Sequence, residues 1–361
     1  MGWTWNQFRH WLSGRPKLRR SKIPKTLQQA DLLLSDLVSE GRVLGLAIEV
    51  AFRGKTWFTA GYGMADLEEG TEVLPDTTVF RIASISKPIT ATALACLVQD
   101  GVLHLEDDVR SYVPEFPGKH GVITLRQLAS HTAGIRGYRG KESALNKPLG
   151  IAESLDLFKA DPLLFPPGQG YHYNSFDYVL LSLAMERACG QPFDQLVADR
   201  VLKPLSMSAT GMEIPGKPVP GQANFYSKSG KGFRKAVPVD TRYKLAGGGY
   251  LSTVSDVCKL GMSCLQGELV SPNTLKPFLT SCKVGGEPTH YGLGWQVSRD
   301  ARGRSFYGHV GNTVGAYSNF YIYPQQDLVF AVLVNCSVPG VQPVLDQVVD
   351  AVHQSLPDSR Y

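Results

Sequence analysis

The sequence predicts an α/β fold, more strictly α+β. An antiparallel sheet is built from both ends of the chain and flanked by terminal helices, with a mainly helical region inserted between its halves. Three observations predict it. Near the N-terminus two β-rich runs, GLAIEVAF and KTWFTAGYG, meet across Arg53-Gly54, a hairpin signal. Near the C-terminus four short aromatic and β-branched runs follow one another: YGLGWQVS, SFYGHVG, AYSNFYIYP and LVFAVLVN. Between about residues 101 and 241 the chain reads as helices, with loops marked by PEFPG, FPPGQG and IPGKPVPG.

Taken in order, residues 1–26 form a basic N-terminal tail, and residues 27–361 form one domain whose sheet comes from 27–83 and 242–361. TLQQADLLLSDLVSEGRV has the apolar spacing of an amphipathic helix, and the hairpin follows it. Ser84 then opens an apolar helix through ATALACLVQDGVL. PVLDQVVDAVHQSL closes the chain as a helix with one apolar face. Gly247 to Gly249 lack the lysine and the helix context of a phosphate loop and read as a tight backbone turn.

A chain of 361 residues with 43% hydrophobic content can bury a large core. No fixed-period repeat is visible. Seven of the 37 Lys and Arg residues lie in the first 30 positions, which carry no Asp or Glu. The remaining 30 basic residues face 32 acidic ones, so the net +5 belongs to the tail and the body is near neutral. That argues against nucleic acid as a partner. The tail reads as a targeting peptide, a membrane-surface helix or a solvated arm, and Trp5, Phe8 and Leu12 can share one helical face. No apolar run is long enough to span a bilayer, and no secretory core appears near Met1, so secretion is not expected. Asn6 stands where a myristoylation signal wants Ser or Thr. The six cysteines show no metal spacing and lie mostly in apolar runs, so neither disulfides nor a metal site is expected.

The chemistry starts from FRIASISKPIT. On a helix, Ser84 and Lys87 share a face. A serine hydroxyl is a poor nucleophile until a base takes its proton. An amine can be that base if burial or a nearby cation brings its pKa from about 10.4 toward 7–8. Alone, the pattern equally describes a capping serine beside a surface lysine. Two further stretches change its meaning. FPPGQGYHYNSFDYVLLSLA places Tyr173 at the head of a helix, and SFYGHVGNTVGAYS puts His309 and Gly311 on a strand whose edge a substrate can approach.

Ser-x-x-Lys, Tyr-x-Ser/Asn and a basic residue-x-Gly, in this order, resemble the three-part signature of the penicillin-recognising serine hydrolases. ITLRQLASHTAGI, FPPGQGYHYN, LKPLSMSATGM, LAGGGYLSTVSDV and YGLGWQV are similar to the class C beta-lactamase-like branch. RIASISK, YVPEFP, SHTAGIRGY and YKLAGGGYLST are most similar to its animal mitochondrial members. The resemblance runs from about Leu27 to Gln354 and implies the beta-lactamase/DD-peptidase-like fold. It implies Ser84 as the acylated nucleophile, Lys87 as its proton acceptor and Tyr173 as a proton shuttle. It also implies that Ser175, His309 and Gly311 line the substrate site, and that Asn312 N–H joins Ser84 N–H in an oxyanion hole. No metal or organic cofactor is needed.

Two departures are visible. Ser175 stands where many relatives carry asparagine, and His309 where dedicated lactamases carry lysine. An unperturbed histidine is mostly neutral at pH 7, so weak or no lactamase activity is expected. His309 is open between a site-lining donor and a packing residue. The expected function is a peptidase or amidohydrolase acting on a peptide or small acyl substrate. An esterase or acyltransferase on the same site stays open, as does a self-assembling filament or scaffold protein, since mitochondrial members of this branch are known to polymerise. Arg136 is a candidate cation for an acidic substrate side chain, set against a plain surface arginine. His131 reads as a loop-fixing hydrogen-bonder. Expected partners beyond the substrate are a membrane surface, through the basic tail, and further copies of the chain. The expected compartment is the mitochondrion, with the cytoplasm as the alternative.

Overall fold

A seven-stranded antiparallel sheet lies at the centre of the structure, a computed structural model describing residues 25–118, 121–230 and 232–357. Most of the basic tail, with its amphipathic pattern, lies outside the described residues. Strands β1 (Gly45–Phe52) and β2 (Lys55–Asp66) form the expected hairpin. Its two turn residues, Arg53 and Gly54, both take positive φ, 50° and 72°, as a tight hairpin turn requires. β3 (Thr71–Glu72) adds the N-terminal edge. From the other end come β4 (Gln296–Arg299), β5 (Ser305–Thr313), β6 (Ala316–Tyr323) and β7 (Leu328–Val334). The order across the sheet is β4-β5-β6-β7-β1-β2-β3. The two halves join at β7 and β1, where Leu46 pairs with Val334 and Phe52 with Leu328.

Five helices of twelve residues or more occur among the described residues: α1 (Gln28–Ser39), α2 (Ser86–Gln99), α3 (Phe176–Cys189), α4 (Val254–Gln266) and α5 (Gln342–Gln354). None is long and apolar enough to cross a membrane. Because side chains alternate along a strand, β1 and β7 feed two cores. Leu46, Ile48, Phe330 and Val332 join Leu34 of α1 and Leu345 and Val348 of α5 on one face. Ala47, Val329, Ala331 and Leu333 join Val257 and Leu260 of α4 on the other. Both faces are covered, which is why these two strands read as unbroken apolar runs.

The helical side of the molecule is organised around α2. Twelve of its fourteen residues are buried, Lys87 among them. A helix enclosed on all sides has no polar face to show in its sequence. A small three-stranded sheet ties this region together: Phe80–Arg81 pairs with Tyr250–Ser252, which pairs with Gly211–Met212. The first strand leads into the Ser84 turn, and the second leaves the helical turn Leu245–Gly248. Their pairing brings those two turns side by side.

Candidate active site

The chain enters α2 through a bent corner. Ala83 has φ 47°, a left-handed conformation that costs a non-glycine residue about 1–2 kcal/mol. Ala83–Ile85 forms a 3-10 turn and the α-helix begins at Ser86, so Ser84 precedes α2 instead of opening it. The corner is held from two sides, by β6 and by the first residue of α2. Ile82 O accepts from Ser318 Oγ at 2.8 Å, and Ala83 O accepts from Ser86 Oγ at 2.6 Å. The first bond of the turn runs from Ile85 N–H to Ile82 O, which leaves Ser84 N–H among the groups a helix start cannot pair internally.

Lys87 follows one turn later and is fully buried. Its Nζ lies 3.3 Å from Ser84 Oγ and donates to the carbonyl of Gly247 at 2.8 Å. It also sits over the rings of Tyr173 and Tyr178, 4.7 and 5.3 Å from their centroids. Burial, and then the positive charge of Lys244, pull the amine down to about 7 against the opposing pull of Asp177. An amine poised there is partly neutral at neutral pH and can accept a proton from an adjacent hydroxyl. Tyr173 completes the group, its hydroxyl 2.9 Å from Ser84 Oγ. Partial burial of the ring raises its pKa, so the phenol keeps its proton. Ser84, Lys87 and Tyr173 are thus brought together.

The rest of the second motif divides its work. Ser175 precedes α3 and faces the same cavity as Ser84. The amide of Asn174 turns inward and donates to Asp177 Oδ2 at 2.7 Å and to the carbonyls of Ile135 and His172. The third motif runs along β5, past the Ser84 corner. A Cβ on Gly311 would lie 2.7 Å from Ile82 O and 2.2 Å from Ser318 Oγ, so only glycine lets the strand press this close. Val310 N–H points to the β4 side, where it meets Gln296 Oε1 at 3.1 Å. Strand alternation aims Asn312 N–H along that same edge, beyond the last β4 pair, Gln296 with Gly308. Ser84 and Asn312 both line an open cavity of about 300 Å³.

His309 occupies the second of its two sequence readings. Its ring is buried beside Tyr173. Nδ1 lies 2.7 Å from Val310 O and Nε2 lies 3.0 Å from Tyr291 Oη. A carbonyl only accepts, so Nδ1 carries the hydrogen and Nε2 accepts from Tyr291. Burial, and then Lys87, hold the imidazole down to about 3, and it is neutral. Arg136 fits neither of its readings. It is buried, and all five donors are engaged: Nε with Asp161, Nη1 with Glu142 and Gly137 O, Nη2 with Glu142 and Leu157 O. It is a structural clamp with nothing left for a substrate.

Two points concern YKLAGGGYLST. Gly247 and Gly248 belong to the single helical turn Leu245–Gly248, which Gly249 N–H closes on Leu245 O, and none of the three glycines takes a positive φ. Only Gly249 is needed for space: a Cβ there would lie 2.7 Å from Thr241 O, whereas one on Gly247 would make ordinary contacts, 3.4 Å from Tyr178 Cβ and 3.6 Å from Lys87 Nζ. Lys244, which the sequence reading passed over, lies in the cavity wall. Its Nζ donates to Ser143 O at 2.6 Å near the rings of Tyr138 and Tyr243. Burial, and then Arg81, lower it to about 8, opposed by Glu213. The available signal was a lone lysine in an otherwise apolar run.

Residues 30–354 match the family model described as Beta-lactamase. The human "Serine beta-lactamase-like protein LACTB, mitochondrial" is 29% identical over 399 residues, covering 84% of this chain and 73% of that protein. The D-amino acid amidase of Ochrobactrum anthropi SV3 superposes with a TM-score of 0.81 at 21% identity, over 92% of this chain and 99% of that one. The octameric penicillin-binding protein homologue from Pyrococcus abyssi gives 0.80 at 24% identity, over 92% and 78%. These two solved structures share the fold.

Proposed function

Because the chain belongs to the beta-lactamase family of serine hydrolases, we propose that it cleaves an amide bond, as a peptidase or amidohydrolase, through an acyl-enzyme on Ser84. The observation that carries this reading is the convergence of Lys87 Nζ, at 3.3 Å, and the Tyr173 hydroxyl, at 2.9 Å, on Ser84 Oγ.

In the proposed reaction, neutral Lys87 takes the Ser84 proton as Oγ bonds to the substrate carbonyl carbon. The carbonyl electron pair moves onto oxygen, which Ser84 N–H and Asn312 N–H stabilise. Collapse of this intermediate breaks the C–N bond. The leaving amine takes a proton from Tyr173, which is resupplied from the Lys87 ammonium. Water then attacks the acyl ester, gives its proton back through the same pair, and releases the acid with Ser84 restored. With a neutral, buried His309, the third motif offers no cation to a lactam carboxylate, so beta-lactamase turnover is weak or absent.

The name of the human relative places that protein in the mitochondrion. Together with the acid-free basic N-terminal segment, this supports the same compartment here. The octameric Pyrococcus relative supports self-association.

The test is labelling with a fluorophosphonate, read by intact mass and peptide mapping. The expected result is one adduct on Ser84, lost in Ser84→Ala and abolished at pH 7 in Lys87→Ala. An adduct elsewhere, or one that survives Ser84→Ala, overturns the reading.

A further inference from the structure

Tyr173 keeps 38% of its surface exposed, so little on its outer side fixes the phenol over Ser84. Its inner face rests on the ring of His131, with centroids 4.5 Å apart. His131 itself is completely buried and holds φ at 61°, a left-handed conformation uncommon outside glycine, though histidine adopts it more readily than most residues.

The surroundings of His131 are polar. His131 Nδ1 lies 2.9 Å from Asp177 Oδ2, and the same oxygen accepts from Asn174 Nδ2 at 2.7 Å. Asn174 Oδ1 accepts from Asp177 N–H at 2.8 Å, which closes the loop. On the other side, His131 O accepts from His172 N–H at 2.9 Å. Both chain neighbours of Tyr173, His172 and Asn174, are therefore tied to the pair beneath its ring.

The pair is expensive. A buried carboxyl must be compensated, yet Asp177 Oδ1 and His131 Nε2 have no hydrogen-bond partner among the described residues. An apolar side chain would pack the first turn of α3 more cheaply.

We propose that His131 and Asp177 are positioning residues that hold the Tyr173 phenol on Ser84. This rests on Ser84 as nucleophile and Tyr173 as proton carrier. A misplacement of an ångström can cost a reaction about 100-fold, so the cost of the pair is returned in rate.

The test is a double-mutant cycle on p-nitrophenyl acetate hydrolysis, with active sites counted by fluorophosphonate titration and folding followed by thermal midpoint. Asp177→Ala lowers kcat by about 10- to 100-fold and leaves KM within about 3-fold. Asp177→Asn recovers most of the loss, because its amide can still accept from Asn174 and bond His131 Nδ1. In a Tyr173→Phe background, Asp177→Ala costs less than about 3-fold, since the phenol it positions is gone. Should Asp177→Ala fail to fold, His131→Asn carries the same cycle, asparagine being tolerant of left-handed φ. Equal losses in both backgrounds, or no loss in either, overturn the inference while leaving Ser84 as nucleophile. Full turnover in Ser84→Ala instead overturns the parent reading.

Discussion

Tyr173 and Ser84, 89 residues apart in sequence, meet through a 2.9 Å hydrogen bond between their hydroxyls. The phenol packs among His131, Tyr291 and His309, and these contacts survive loss of its oxygen. Tyr173→Phe therefore removes the proposed proton carrier and little else. It should lower kcat about 100- to 10,000-fold, the usual worth of one general acid-base group. The thermal midpoint should stay within a few degrees of wild type. Steady-state kinetics on an amide and an ester, beside a melting curve, check both halves.

The pH profile follows from Lys87. Burial and the charge of Lys244 hold its amine at about 7, and only the neutral amine can take the Ser84 proton. Thus kcat/KM should rise with pH through an apparent pKa near 7 and level off above it. Lys244→Met removes the like charge that favours the neutral form of Lys87. The Lys87 pKa should rise, and the acid limb should move to higher pH. Profiles of both proteins from pH 5.5 to 9.5 measure the displacement, and a limb that moves the other way would contradict the assigned coupling.

What was legible in the sequence was local or strongly patterned. Ser84 and Lys87 are separated by a single turn, so their neighbourhood shows in FRIASISKPIT itself. The hairpin at Arg53-Gly54 and the apolar runs of β1 and β7 were legible for the same reason. The exact start of α2 was not, because the Ala83 corner is held by Ser318 of β6, bonding to Ile82 O from 236 residues away. The role of His309 is not legible in sequence because the partner that fixes its tautomer is Tyr291, on a separate stretch of chain. Lys244 and Arg136 look alike as sequence. Folding places one in a cavity wall and surrounds the other with carboxylates.

Arg136 gives a prediction of stability without specificity. Its guanidinium spans Glu142 at 2.7 Å and Asp161 at 2.6 Å and also holds two carbonyls. Arg136→Met strands these acceptors and should destabilise the fold by about 2–4 kcal/mol. Arg136→Lys keeps the charge but loses the planar fork, so it should recover only part of this. Neither variant should change the ratio of kcat/KM for an acidic over a neutral peptide. Urea unfolding and paired peptide assays measure the two quantities separately. A changed ratio in a stably folded variant would return Arg136 to the substrate site.

His309 ties the third motif to acid stability. Its imidazole is held at about 3 in the folded chain against an ordinary value of 6.5. Between those values the unfolded chain binds a proton that the folded chain refuses. The stabilising contribution is therefore complete above about pH 6.5 and is lost as pH falls toward 3, at about 1.4 kcal/mol per pH unit once well below 6.5. His309→Gln keeps a side chain able to bond Tyr291 or Val310 but removes the titration. Wild type should lose stability between pH 6 and pH 5 more steeply than the variant, by about 1 kcal/mol per unit. His131 is held well below its ordinary value chiefly by burial and then by Lys87, both of which the variant retains, so the smaller contribution of His309 to it is the only part of its titration that differs between the two proteins. Parallel slopes in urea titrations across this range would mean that His309 is charged in the fold. Nε2 would then be a donor, and Tyr291 would have to accept rather than donate.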